Sequence, residues 1–290
     1  MSLLLASPLT MIGCPGDDSG TPADGSTSGT TASQTDSSGG DATAAATSTG
    51  VDPSTGVDTM DDTTGDPPAS CQDPQEIPKG PDCTGVDGVL DNSAIIEEGG
   101  DTIAILEGIR EVTGSVRINS IDIADLSFME CLDTVGGDVT IFGNDQLVNV
   151  DGLWSLSSVG TDFIFSNNNG LTDFNGAPNL VEVPGNVVLR NNDALTQISG
   201  FHSLTTTHNL TIQNNDAMLN IDGLGGLTTL TTIEVEDPDN PGQMIDQIGV
   251  FAVTNNPACC QSSVDCVGMG ITEPAVPPPT WSTQGNDLSC

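Results

Sequence analysis

The sequence predicts an all-β fold: a right-handed β-solenoid of about 24 residues per coil behind a disordered N-terminal tether. Three observations predict it. Apolar residues recur with a period of 24 residues, shortened by one in the last coil, from Val135 to Leu227. One Asn and one Gly recur at fixed places within each period. Between Cys14 and Cys71 there is almost no large side chain, so that stretch cannot bury enough surface to offset its ordering entropy.

Residues 1–13 read as a lipoprotein signal segment. Ser2 to Ile12 is mostly apolar and too short to span a bilayer as a helix. It ends in Met11-Ile12-Gly13-Cys14, which resembles a bacterial lipobox, where a small residue precedes a Cys that becomes the lipidated N-terminus. The resemblance implies lipidation at Cys14 and a cell-envelope address, at the outer membrane or cell surface of a bacterium. No Lys or Arg precedes the apolar run, so the segment looks truncated, and Met11 stands where Leu is usual.

Residues 14–70 are the predicted tether. Val51, Val57 and Met60 are the largest apolar side chains between Pro15 and Ser70, and ten Asp stand there with no base. A flexible coil of 57 residues spans roughly 40–45 Å, and self-repulsion extends it.

Residues 71–258 carry the solenoid. Counted from Val135, the first coil places Val139, Ile141, Leu147, Val150, Leu153 and Leu156 before Val159 restarts the pattern. The second gives Phe163, Phe165, Leu171, Phe174, Ala177 and Leu180; the third, from Val183, gives Val187, Leu189, Leu195, Ile198, Phe201 and Leu204. The fourth, from Thr207, is one residue shorter and ends at Leu227. A period-2 pair such as Val139 and Ile141 reads as a short strand with one face inward. One coil cannot bury its apolar face, but a stack can. Asn144, Asn168, Asn192 and Asn215 form a column suited to a turn or ladder. Gly152, Gly176, Gly200 and Gly223 form one suited to positive φ or close backbone approach. Ile103, Ile105, Val112, Val116 and Ile118 suggest two earlier rungs, and Val250–Asn256 a last one, with Glu234–Gln247 as an inserted loop. About seven rungs at ~4.8 Å make a body roughly 30 Å long. Residues 259–290 read as a Cys-rich cap with a pinned tail.

The segment Leu106–Ile118 resembles the opening rungs of receptor L domains, the ligand-binding solenoids of growth-factor receptors that also occur in bacterial lipoproteins. Cys83 and the run Asn255-Asn256-Pro257-Ala258-Cys259 are similar to that family's Cys-bounded caps. The resemblance covers about Cys83 to Cys260 and implies ligand binding, without assigning contact residues. A leucine-rich repeat is the nearest alternative, but the helix-forming runs of its convex side are missing.

Apart from Cys14, the cysteines Cys71, Cys83, Cys131, Cys259, Cys260, Cys266 and Cys290 flank the regular coils and are the candidate disulfide formers. One bridge is expected among the first three and others among the last four. Seven is odd, so one thiol stays free or pairs externally. No CxxC pair favours zinc.

The chain carries 41 acids against 4 bases, a net charge of −37. Such a polyanion disfavours nucleic acid, which is bound through Lys and Arg. With no Tyr and two His, it is a poor kit for acid–base catalysis near neutral pH, and a non-enzymatic role is expected. The outward strand positions form the candidate binding face: Asp138, Thr140, Phe142, Asp162, Ile164, Ser166, Val188, Arg190, Thr211 and Gln213. Flat solenoid faces suit extended partners. Asp138 and Asp162, one rung apart, have a spacing near that of glycosidase carboxylate pairs, but no third acid or aromatic platform joins them. Asp237–Gly242 resembles half a calcium loop, yet Ile248 stands where the bidentate Glu is needed, so no cofactor is assigned. His202 and His208 read as surface or turn residues.

The functional expectation is a monomeric, lipid-anchored envelope module recognising a surface protein or glycan. The alternative is a structural or adhesive envelope protein without a discrete ligand, which the 3% aromatic content favours.

Overall fold

The computed structural model describes residues 79–238, 240–274 and 281–290. The signal segment, Cys14, the tether and Cys71 lie outside these described residues.

Alternating apolar residues fold into short strands because each buries every second side chain. Seven such strands stack in parallel: Ala94–Ile96, Val116–Asn119, Val139–Phe142, Phe163–Ser166, Glu182–Arg190, Thr206–Gln213 and Phe251–Thr254. The partners Ala94, Val116, Val139, Phe163, Val187 and Leu210 follow one another at 22 to 24 residues; the last step, to Phe251, takes 41. The result is a β-solenoid of about six turns of about 23 residues. A second parallel sheet joins Gly88–Leu90, Ile109–Val112, Thr134–Val135 and Ser158–Val159. The corners are made by 3-10 turns at Ile103–Leu106, Ser127–Met129, Asp151–Leu153 and Asp222–Leu224, which bury Leu106, Met129, Leu153 and Leu224.

Every apolar residue of the four aligned coils named above is buried. Phe163, Phe165, Phe174 and Phe201 form one aromatic cluster, with Phe174 stacked on Phe201 at 4.7 Å and Phe163 edge-on to Phe174 at 5.9 Å. Full burial stabilises each such side chain by about 1.5–3 kcal/mol. The earliest rungs differ from expectation. Ala94 and Ile96 supply the core, whereas Ile103 is 38% exposed: among the described residues no earlier coil covers that turn.

The Asn column is a ladder. The backbone N–H of Asn144 donates to Asn168 Oδ1 (3.1 Å), Asn168 to Asn192 (2.9 Å), Asn192 to Asn215 (3.0 Å) and Asn215 to Asn256 (3.0 Å). Each Nδ2 reaches back to a carbonyl of the preceding coil, as Asn192 does to Phe165 (3.3 Å). The residue just before each ladder position turns the chain with positive φ: Gly143, Asn167, Asn191, Asn214 and Asn255, with Ser120 at the matching place one coil earlier. The Gly column works by close approach. A Cβ on Gly152 would fall on the Leu126 carbonyl oxygen, and one on Gly200 on that of Gly176.

Two segments correct the reading of the sequence. The insertion at Glu234–Gln247 is an antiparallel hairpin of strands Thr232–Glu236 and Met244–Ile248. The tail is more than a pinned extension: it adds part of a further rung. Val253 N–H donates to Ser282 O and Asn255 N–H to Gln284 O, both at 2.8 Å, and Asn286 Oδ1 accepts from Asn256 N–H (3.4 Å). The described residues of the tail carry no alternating apolar pair that would announce this rung. Trp281 packs on Phe251 at 5.4 Å. The helix α1 (Gln261–Gly270) caps the same end, burying Val264 and Val267.

Disulfides close both ends. Cys83 pairs with Cys131 and Cys260 with Cys290, and Cys266 is also disulfide-bonded. Cys259, a candidate disulfide former, is instead a buried free thiol. Its side chain points into the core while its neighbour Cys260 reaches the tail. Burial, with Asp222 adding, pushes the thiol up to about 12, so it stays protonated.

Candidate functional site

The outward face of the main sheet follows from strand alternation. Opposite the buried columns, Thr140, Ile164, Val188 and Thr211 stand in register, flanked by Ile95 and Arg117 at one end and Ala252 at the other. Beside them runs a second register column of Asn119, Phe142, Ser166, Arg190, Gln213 and Thr254. Phe142 is 38% exposed and Arg190 is exposed. Ser166 does not belong to the exposed set: it is 1% exposed, sitting in register between Phe142 and Arg190, whose long side chains flank it.

The third outward column is a polar ladder. Asp162 Oδ1 accepts from Asn186 N–H and Nδ2, both at 2.7 Å. Asn186 Oδ1 accepts from Asn209 Nδ2 (2.6 Å), and Asn209 Oδ1 from Val250 N–H (2.7 Å). Asp138 is bonded by the Thr161 hydroxyl and by Arg117 at 3.1 Å. The Thr161 hydrogen bond, aided by the Arg117 guanidinium, lowers the Asp138 pKa below its ordinary value against the opposing effect of burial. A general acid needs a raised pKa, the opposite direction. Both carboxylates are thus engaged in joining rungs.

Arg117 and Arg110 each pair with an Asp, whereas Arg190 forms no ion pair among the described residues. It is a free guanidinium at the middle of the face, two rungs from the aromatic of the same column, Phe142.

The other candidate residues fall elsewhere. Asp237, Pro238, Asn240 and Gly242 stand at the tip of the hairpin, where Asn240 Nδ2 donates to Asp237 Oδ2 (2.7 Å). No group of three or more His, Cys, Asp or Glu arranged to hold a metal occurs among the described residues. His208 is a strand residue 6% exposed, its Nδ1 bonded to Thr231 O at 2.8 Å, and not the surface or turn residue expected.

Sequence reasoning missed a groove of about 750 Å³ along the 3-10 corners, where Lys79 and Pro81 meet Asp125, Glu130, Asp151 and Trp154. The signal was Trp154 itself, at a coil position that later coils fill with Pro178, His202 and Gly225. Among the described residues no helix is long and apolar enough to cross a membrane. Comparison with protein-family models, curated proteins and solved structures finds no match.

Proposed function

We propose that this chain is a cell-envelope recognition module, anchored through a lipid on Cys14, that binds a surface protein or glycan on the outward face of its solenoid. The observation that carries the reading is a contrast between columns. The inward columns repeat one chemistry from coil to coil, as packing requires. The column Asn119, Phe142, Ser166, Arg190, Gln213, Thr254 does not repeat: around the buried Ser166 it lines up an amide, an aromatic, a free guanidinium, a second amide and a hydroxyl on rungs about 4.8 Å apart. A rigid row of unlike groups is the kind of surface that discriminates between partners. Arg and aromatic residues are also the side chains that concentrate binding energy.

The test is direct binding of the full chain to a glycan array and a panel of purified envelope proteins. The variant Ile164→Asp/Arg190→Glu is then measured on whatever binds. A loss of about tenfold or more, about 1.4 kcal/mol, supports the face. Unchanged affinity in the folded variant refutes it. The second reading, a structural or adhesive protein, is favoured by the scarcity of exposed aromatics on this face, where Phe142 stands without a second ring. It predicts concentration-dependent self-association in sedimentation and no saturable ligand.

A further inference from the structure

The hairpin Thr232–Glu236/Met244–Ile248 interrupts the solenoid and is not needed to build it. The chain takes 41 residues between the stacked partners Leu210 and Phe251, where 22 to 24 suffice elsewhere. Its two strands pair only with each other among the described residues, so both long edges present unused backbone groups. Its base is fixed: Thr231 O accepts from Gly249 N–H and is bonded to the ring of buried His208.

The antiparallel register sorts the side chains onto two faces. Ile233, Val235 and Ile245 share one, and Ile233 and Ile245 are 40% and 38% exposed. Glu234 and Asp246 lie directly opposite each other on the other, with Glu236 and the 54% exposed Met244 paired beside them. Neither the Glu234 nor the Asp246 carboxylate has a hydrogen bond or ion pair among the described residues, and the hairpin contains no Lys or Arg. Both features are unfavourable in isolation. Like charges directly opposed destabilise a strand pair, and a lone hairpin with a wet apolar face is marginal. Local preferences that conflict with the free structure mark a place where function is served, and a partner strand would resolve both conflicts at once.

We propose that this hairpin accepts an extended segment of a partner protein in which Lys or Arg alternates with apolar residues, added as a third strand. The period of 2 supplies the match. An added strand sends alternate side chains to opposite faces, placing apolar groups on the face of Ile233 and Ile245 and cations on the face of Glu234 and Asp246. Charge complementarity selects the occupant. A second copy of this chain would bring 41 acids against 4 bases to the same carboxylates. The inference is independent of the ligand face proposed above, which lies on other strands.

The probe is a fluorescent peptide of about ten residues alternating Lys and Val, titrated against the full chain at about 150 mM salt. A peptide of the same composition with its Lys and Val in separate blocks is the comparison. The expected result is saturable binding that weakens about tenfold in Glu234→Gln/Asp246→Asn, about tenfold in Ile233→Thr/Ile245→Thr, and about tenfold with the block peptide. The variant Asp193→Asn/Asp216→Asn removes the same net charge from exposed loops and is expected to bind as the wild type does. Glu234→Gln/Asp246→Asn relieves repulsion, so it retains the hairpin, and amide resonances of Thr232–Ile248 report both its fold and the contact. Equal loss in Asp193→Asn/Asp216→Asn, or equal binding of the block peptide, would overturn the proposal in favour of bulk attraction to a polyanion. Self-association of the unliganded chain that Ile233→Thr/Ile245→Thr abolishes would overturn it in favour of a second copy.

Discussion

Asn192 shows how much one side chain holds in this fold. Its Oδ1 accepts the Asn168 backbone N–H (2.9 Å), and its Nδ2 donates to Phe165 O and to Asn215 Oδ1, both at 3.3 Å. It is fully buried, so water cannot replace these bonds. Each buried group left unsatisfied costs about 1–3 kcal/mol. Asn192→Ala is therefore expected to destabilise by about 3 kcal/mol, read as a lower denaturant midpoint with an unchanged slope. Asn92→Ala, at an exposed residue whose side chain makes no hydrogen bond among the described residues, is expected to stay within about 0.5 kcal/mol. The Asn column was legible because the same amide at one place in every coil serves the same bonds in every coil, and a repeat displays that demand. The turn residue before it was not. Ser120, Gly143, Asn167, Asn191, Asn214 and Asn255 share a positive φ but not an identity, and short polar residues all tolerate that conformation. Ser166 was misplaced for a related reason: alternation says which way a side chain points, while its burial depends on the size of its neighbours one rung away.

At the scale of elements, the open ends decide whether a stack survives. An uncovered terminal strand is a template for pairing with other chains. Here the tail covers Phe251–Thr254, and the Cys260–Cys290 bridge, closing 30 residues, holds it there. Chain-entropy reasoning assigns such a bridge about 3.5 kcal/mol. The variant Cys260→Ser/Cys290→Ser is expected to lose about that much. Hydrogen exchange adds a local signature: the Val253 and Asn255 amides, bonded to Ser282 and Gln284, lose protection, while the Leu210 amide, bonded to Val250, keeps it. Equal loss at all three amides would refute a local role for the tail. The same scale shows why the aligned coils could be read from sequence and the two exceptions could not. A coil inside the stack must satisfy neighbours on both sides, which forces its pattern. Among the described residues the hairpin has no coil to match, and the tail stacks on one neighbour only.

The whole molecule sets these local bonds against a net charge of −37. Two electrostatic effects follow, and they separate by condition. Long-range repulsion among exposed carboxylates is screened by salt, with a Debye length near 3 Å at about 1 M, so the melting temperature at pH 7 is expected to rise with salt. Local bonding acts only when the carboxylate is charged. Asp82, Asp125 and Asp287 are lowered by the hydroxyl and backbone N–H of Thr84, Ser127 and Ser289, two residues on. Asp138 is lowered by the Thr161 hydroxyl and by Arg117. A carboxylate with a depressed folded pKa contributes stability that is fully present above its unfolded value of about 3.9 and lost as pH falls through the folded one. In about 1 M salt, stability carried by these four groups should hold from neutral pH to roughly pH 4.5 and fall below about pH 4. Asp138 joins three coils through Arg117, its own strand and Thr161, so Asp138→Asn is expected to be less stable at pH 7 and to show a shallower acid decline. Thermal melts of the two proteins between about pH 3 and 7 decide it. Parallel curves would mean that the acid sensitivity of this stack lies in other carboxylates and that the Asp138 bonds contribute nothing net.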